Sequence, residues 1–363
     1  MENSKLNIKC AEIPQVIVDS IPDKTERKSS TYVSYGIRND YPNFLYDCYT
    51  KCPSLQSIIN RYADYVVGDG VSSTIISKPN PKETWDELII HLSADYILYG
   101  YAFIQVIRDK ANRPREFYWL DALYVRTDED NETFYYNEDF GKTYTRNNKT
   151  IIYPRFKRDF VQPSSVIMFK TPLSKGAYGL PIWHSALKSV LTEIGIDDFH
   201  MNEIENNFFG SAIINFNNST PTDEEKDEIE KLVKKKFSGH QNAGRFLLSF
   251  NDDKDHSTTI ERLATDDFDK RYESLAKKTQ NQIFTSFGIS PVLCGIVADG
   301  KGFSDQDFIS AYKIFNRTGV RPVQGKMVDV FDYIFEQKGS LEIKPFSIDF
   351  TDDNNNKDEE IVE

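Results

Sequence analysis

Cysteine is scarce in this 363-residue chain. Its four residues, Cys10, Cys48, Cys52 and Cys294, are too few and too scattered for a disulfide framework, so a reducing compartment is expected. Cys48 and Cys52 lie four apart and share a helix face, but no further Cys or His stands near them to complete a metal set. No run approaches eighteen uninterrupted apolar residues, and no membrane span is expected. The first residues show no charged-then-apolar leader, so export by the usual route is not expected. Positive charge is in deficit: 44 Lys and Arg stand against 56 Asp and Glu, for a net charge of −12. So acidic a chain does not hold nucleic acid by neutralising phosphates over its whole surface. No unit of 20–50 residues repeats.

What the chain does have is apolar mass. Hydrophobic residues make up 39% and aromatics 13%, enough for two or three cores and too much for a disordered chain. Residues 1–40 read as an arm or short strands. Phe44, Leu45, Cys48, Leu55, Ile58, Ile59, Tyr62, Tyr65 and Val66 recur at helical spacing, broken at Pro53 and ended by Gly68-Asp69-Gly70. Residues 82–99 predict a helix closed by Gly100. Alternation from Ala102 to Ile107 then predicts a strand, with further strands at 115–120, 123–126, 133–137, 143–146, 150–153 and 165–169. This half reads as helices on an antiparallel sheet.

From Pro181 onward the period becomes helical, through Trp183, Leu187, Val190, Ile194, Met201, Ile204 and Phe208. Such a helix spans roughly 40 Å at 1.5 Å per residue. Its polar face carries Glu193, Asp197, Asp198, Glu203 and Glu205. Residues 211–262 read as a small insert: a strand at 212–216, a helix opened by Pro221 and ending in Lys234, Lys235 and Lys236, and a strand at 245–250. A second long helix is predicted over 266–287, stopped by Gly288-Ile289-Ser290-Pro291. A loop with Gly295, Gly300 and Gly302 follows, then a third helix over 304–336 that Pro322 should kink. Residues 341–350 alternate like a strand, and residues 351–363 form an acidic tail expected to be disordered.

Catalytic patterns come close and fail. Gly295 to Lys301 satisfies the phosphate-loop spacing, but Gly302 stands where a hydroxyl must hold magnesium, and an amphipathic helix with Pro291 precedes it instead of a buried strand. Glu193, Asp197 and His200 share a helix face as metal ligands would, but no matching Glu-x-x-His exists on another helix. None of the five histidines sits in a nucleophile motif, and Gly68-x-Gly70 lacks the third glycine of a dinucleotide site.

An ordered series of strings carries a resemblance. It runs from Gly36-Ile37-Arg38-Asn39-Asp40-Tyr41-Pro42 through Tyr99-Gly100-Tyr101-Ala102-Phe103 and Trp119-Leu120-Asp121-Ala122-Leu123-Tyr124-Val125. Tyr178-Gly179-Leu180-Pro181-Ile182-Trp183 and Asn206-Asn207-Phe208-Phe209-Gly210 continue it, and Phe287-Gly288-Ile289-Ser290-Pro291-Val292-Leu293-Cys294-Gly295 ends it. With two long helices flanking an α/β insert, a Gly-rich loop, a proline-bearing helix and a closing strand, the series resembles the portal proteins of tailed bacteriophages, prophages and gene-transfer-like particles. It covers roughly residues 35–350. Ser290 replaces a proline common there, and the chain stops soon after the closing strand, so it resembles a small form without a large crown.

The resemblance implies an α+β fold assembling as a cyclic ring. It implies a wing at 1–182 joined by 305–350, a first stem helix at 183–209, a clip at 210–262 and a second stem helix at 263–290. A tunnel loop at 291–304 and a long kinked helix at 305–337 complete it. The implied role is non-enzymatic: a ring, usually of twelve copies, that seeds capsid assembly, gates double-stranded DNA and joins motor to tail. The implied partners are copies of itself, the passing duplex, the terminase motor, a tail adaptor, and the capsid and scaffold proteins, with no cofactor, metal or membrane. The implied place is the capsid vertex of a virion assembled in a bacterial cytoplasm. Asp299, Lys301 and Phe303 become channel-loop candidates, and Lys234, Lys235 and Lys236 candidates for facing the motor or adaptor. The alternatives are a nucleotide- or metal-dependent enzyme and another ring-forming head–tail connector.

Overall fold

The structure, a computed structural model, describes residues 26–28, 31–140, 149–159, 162–172, 174, 176–205, 212–216, 222, 228, 246–250, 259–262, 268–296 and 304–348. Two short strands, β1 (Arg27–Lys28) and β2 (Val33–Ser34), precede helices α1 (Tyr41–Lys51) and α2 (Pro53–Val67). Two prolines set these helix boundaries. Pro42 occupies the first turn of α1, where its missing N–H costs nothing. Pro53 forces Cys52 out of the helical region, to φ −106 and ψ 106, and so separates the two helices. Gly68, at φ 63, ends α2, and β3 (Gly70–Ser73) follows.

Helix α3 (Trp85–Tyr99) opens on a reciprocal cap. The Thr84 hydroxyl accepts from Glu87 N, and the Glu87 carboxylate accepts from Thr84 N at 2.7 Å. Gly100 closes it in the left-handed region, as the sequence predicts. The chain turns directly into β4 (Tyr101–Arg108), the centre of a three-stranded antiparallel sheet with β5 (Pro114–Leu120) on one side and, later, β9 (Ser164–Lys170) on the other. Tyr101, Ala102, Phe103 and Ile104 are all fully buried, so both faces of β4 lie inside the core. Strands β6 (Val125–Thr127), β7 (Thr133–Tyr136) and β8 (Ile151–Pro154) extend β1 and β2 into a five-stranded sheet, ordered β1-β2-β6-β7-β8. The strand predicted over 123–126 begins instead as a 3-10 turn, Ala122–Tyr124, because the Asp121 carboxylate accepts from Leu123 N at 2.9 Å and bends the chain.

Long helices α4 (Leu187–Glu205) and α5 (Phe268–Phe287) bracket β10 (Ala212–Phe216), β11 (Phe246–Phe250) and β12 (Thr259–Arg262). These three strands form one sheet in which β10 pairs parallel to β11 and antiparallel to β12. After α5, a 3-10 turn at Pro291–Cys294 leads toward α6 (Asp305–Phe315). A π-helical turn, Asn316–Val320, joins α6 to α7 (Arg321–Phe335). Pro322 sits in the first turn of α7, and the wider turn before it accommodates the carbonyl that proline leaves unbonded. Strand β13 (Leu341–Lys344) returns to pair antiparallel with β3. A Cβ on Gly68 would lie 2.1 Å from the Lys344 carbonyl oxygen, so only glycine permits that closure.

The chain divides into two compact units, and the division falls within α4 and α5. One unit holds residues 21–190 and 280–363, the other 1–20 and 191–279. The core of the first is strongly aromatic. Phe331 of α7 meets Trp85 edge-on at 5.2 Å and Phe117 at 5.6 Å, and Phe103 meets Phe134 at 5.6 Å. Such pairs contribute about 0.5–1.5 kcal/mol each beyond the area they bury. In the second unit, the rings of Phe199 and Tyr272 stack at 4.9 Å and join α4 to α5.

Candidate functional site

The glycine-rich segment after α5 is held at both ends by the first compact unit. Ile283, Phe284 and Phe287 bury the end of α5, and Gly288 turns the chain at φ 63. Ile289 N donates to the Phe284 carbonyl at 3.3 Å. The 3-10 turn then buries Leu293, and Gly295, at φ 80, caps it. The Tyr65 hydroxyl of α2 donates to the Leu293 carbonyl at 2.8 Å and pins this turn. Burial pushes that hydroxyl up to about 12, although Arg61 works in the opposite direction. It therefore stays a donor throughout the neutral range. Burial likewise pushes the adjacent Cys294 thiol up to about 11, against the pull of Arg61, so it is a poor nucleophile. On the far side Ser304 caps α6, its hydroxyl accepting from Asp307 N at 3.4 Å. Asp305 and Asp307 occupy the first turn and suit the positive end of the helix.

Asp299, Lys301 and Phe303 lie outside the described residues, as do Lys234, Lys235, Lys236 and the strand expected at 143–146. The described flank of Lys301 bears on the phosphate-loop reading. A helix and a 3-10 turn precede Gly295, where a nucleotide-binding loop needs a strand. Glu193, Asp197 and His200 all lie on α4, and the His200 ring packs edge-on to Tyr272 at 5.6 Å. Among the described residues, no group of three or more His, Cys, Asp or Glu is placed to hold a metal ion. No helix among them is long and apolar enough to cross a membrane.

Two buried ionisable groups escape a sequence reading. The Asp95 carboxyl is driven well above the usual carboxylate range by burial and then by the charge of Asp121. Trp119 Nε1 at 2.7 Å and Ala122 N at 3.0 Å donate to it and pull the other way. Burial raises Asp121 too, against the Leu123 N–H and His91. The second group is Arg126, 1% exposed. Its guanidinium donates to Asn39 Oδ1 at 2.6 Å, and to the carbonyls of Leu123 and Val125, both at 2.9 Å. Asn39 itself adopts φ 60, which gives the Asn39-Asp40-Tyr41-Pro42 string a structural reason: it latches the start of α1 to β6. Both groups are hydrogen-bonded inside the core, Asp95 by an indole and a backbone N–H and Arg126 by an amide oxygen and backbone carbonyls, as structural groups are.

A cleft of about 340 Å³ opens beside α7, lined by Arg155, Lys170, Lys326, Asp329 and Tyr333 among others. Lys170 is already bound there, donating to Asn131 Oδ1 at 3.2 Å and to the carbonyls of Gly176 at 2.7 Å and Ala177 at 3.0 Å. The cleft brings no nucleophile to a general base. Among the described residues, the clearest arrangement is the pair of braced ends, 288–296 and 304–307, on either side of the glycine-rich segment.

Comparison with known proteins gives a consistent result. A family model described as phage portal protein matches residues 61–347. An uncharacterized protein of Rickettsia felis is 24% identical over 276 residues, which are 72% of this chain and 66% of the relative. The chain thus spans just under two thirds of that relative's length. The neck of a native gene transfer agent particle, computed with C12 symmetry, matches with a TM-score of 0.56 at 16% identity, covering 91% of this chain and 88% of the other. An HK97 family phage portal protein from Corynebacterium diphtheriae matches with a TM-score of 0.53 at 11% identity, covering 83% and 95%. At these identities the likeness is one of fold.

Proposed function

The chain belongs to the phage portal protein family, and on that premise we propose that it is the subunit of a closed ring, about twelve copies, through which double-stranded DNA enters and leaves one vertex of a capsid. The observation that carries this reading is the extent of the family match. It runs from α2 to the residues after β13, through both long helices, the insert and the braced loop. The ring is the product of a bacterial cytoplasm and part of the finished virion.

Residues 1–182 and 305–350 are assigned to the wing, 183–209 and 263–290 to the stem, 210–262 to the clip, 291–304 to the tunnel loop and 305–337 to the long helix. The clip, through Lys234, Lys235 and Lys236, faces the terminase motor during filling and a tail adaptor afterwards. Capsid and scaffold proteins meet the ring during assembly. In the tunnel loop, Lys301 is flanked by Asp299 and followed by Phe303. One cation per loop touches phosphate weakly, and weak contact is what a conduit for a sliding duplex needs, since each neutralised phosphate adds salt-sensitive affinity. The role requires no catalysis and no cofactor.

Electron microscopy with light scattering tests the ring. A closed particle of about twelve subunits is expected, and a stable monomer at high concentration in physiological salt would overturn the reading. Replacing 296–303 by a short Gly-Ser linker tests the loop. Rings should form normally while DNA packaged or retained per particle falls, and full, stable genomes would remove the loop's gating role.

A further inference from the structure

Although the chain is acidic overall, residues 308–328 contain no Asp or Glu and four cations. Three of them, Lys313, Arg317 and Arg321, follow one another every four residues along α6, the π turn and α7, and all three are exposed. None forms an ion pair among the described residues. Beside them Ile314 is 66% exposed, more than any other large apolar side chain among the described residues. A row of exposed cations beside an exposed isoleucine, about 12 Å long at 1.5 Å per residue, is complementary to an acidic, partly apolar partner.

A surface of that kind lies on the other flank of the same compact unit. On one side of α2, Tyr62 meets Phe315 at 4.7 Å, Tyr65 meets Tyr312 at 5.5 Å, and Val66 O accepts from Gln324 at 2.9 Å. Asn60, which accepts from the Tyr49 hydroxyl of α1 at 2.7 Å, stands 200° around the helix from Tyr62 at 100° per residue. Helix α2 therefore separates α1 from the α6–α7 rod. Tyr46, 44% exposed, lies on the outer face of α1, 6.2 Å from Tyr49. Helix α1 packs against the 3-10 turn that carries Tyr124, and the Tyr124 ring stands 6.3 Å from Tyr136. Two exposed carboxylates flank these rings. Glu138 accepts from the Tyr136 hydroxyl at 3.4 Å, and Asp47 lies on α1.

We propose that these two flanks are the two halves of one contact between neighbouring copies: the Lys313, Arg317 and Arg321 face of one subunit seats on the Tyr46, Tyr124 and Tyr136 patch of the next. This rests on the ring reading above and adds which surfaces make the ring. A head-to-tail ring needs two different complementary patches on each subunit, whereas a two-fold dimer needs one self-complementary patch. Here the cations meet Asp47 and Glu138, the guanidinium groups lie over tyrosine faces, and Ile314 is covered by rings.

Charge swapping tests the contact in the full-length chain. Arg317→Glu with Arg321→Glu should raise the concentration needed for ring formation at least ten-fold, and Asp47→Lys with Glu138→Lys should do the same. Combining all four restores opposite charges across the contact and should return assembly towards wild type, which a merely misfolded variant would not do. Circular dichroism confirms the fold of each variant. If the Arg317→Glu, Arg321→Glu chain forms normal rings at the wild-type concentration, the contact is wrong and the ring reading stands. If that variant assembles normally but loses affinity for a 30-base-pair duplex, the basic face serves phosphate instead and the contact is again wrong. If the wild-type chain forms no ring, the contact falls with the ring reading itself.

Discussion

Gly100 and Gly179 meet backbone to backbone: a Cβ on Gly179 would stand 1.9 Å from the Gly100 carbonyl oxygen, and one on Gly100 would stand 2.4 Å from the carbonyl carbon of Leu180. The contact locks the start of β4 to the segment leading into α4. Thr171 completes it, donating through its N–H to Gly100 O at 2.8 Å and through its hydroxyl to Leu180 O at 2.9 Å.

Gly179→Ala is therefore expected to destabilise the protein by about 1–3 kcal/mol or more, as overpacking does. Gly195→Ala is the control. Gly195 lies in α4 with nothing within 4 Å of its Cβ position, and alanine there should stabilise the helix by up to about 1 kcal/mol. Thermal melting should move in opposite directions for the two variants, and equal shifts would refute the account.

Arg126→Ala should rank among the most damaging single changes to the first unit. It strands the buried Leu123 and Val125 carbonyls at about 1–3 kcal/mol for each unsatisfied group, and leaves Asn39 Oδ1 with only the Tyr35 N–H. Arg126→Lys supplies charge without the fork and should recover only part of that. Urea melts of the three proteins, ordered wild type, Lys, Ala, would support this; a neutral Arg126→Ala would contradict it.

How much of this was legible in the sequence depends on how local the cause is. The break at Pro53 and the Gly100 stop are dictated by neighbours a few residues away, and the pattern alone locates them; the helix expected from residue 82 starts instead at Trp85, behind the Thr84 cap. The parallel pairing of β10 with β11 is set by register over a long separation, and no short window contains it. Pro322 suggested a kink, but proline chemistry does not reveal that a π turn absorbs the lost bond, because Gly319 must also lie close to Phe315 and Tyr62. No short window marks Arg126 and Asp95 as buried, since Asn39 lies 87 positions from the first and Trp119 lies 24 from the second. The site candidates on the loop and clip came from family resemblance, and only the braces of the loop, Tyr65 and Ser304, have described geometry.

Tyr65→Phe removes one hydrogen bond, worth about 0.5–1.5 kcal/mol, and leaves the ring contacts in place. Amide exchange should quicken across residues 288–296 while α2 and α3 stay protected. Uniform quickening throughout the unit would show that the hydroxyl supports the fold rather than the turn.

Asp95 sets a pH dependence whose sign can be worked out. Its folded-state pKa is raised, so the folded protein holds the proton more tightly than the unfolded chain. Stability should then fall as pH rises from about 4, the unfolded value, through the raised folded value, and level off above it. Asp95→Asn keeps an oxygen for Trp119 and Ala122 and has no charge to bury. The variant's advantage over wild type should widen between pH 4 and pH 8 in urea titrations, and a constant difference would show that Asp95 stays ionised at no cost.

The pairing of β3 with β13 also bears on how the protein is made. The Ser73 hydroxyl donates to the carbonyl of Ser340, 267 positions later. At about 5–20 residues per second, a ribosome needs roughly 15–50 s to supply the second partner after the first. Through that interval β3 waits as an unpaired edge, and Gly68 has no carbonyl to close upon. Nascent chains are therefore open to association with one another before the first unit can be completed, and the pace of translation sets how long that exposure lasts.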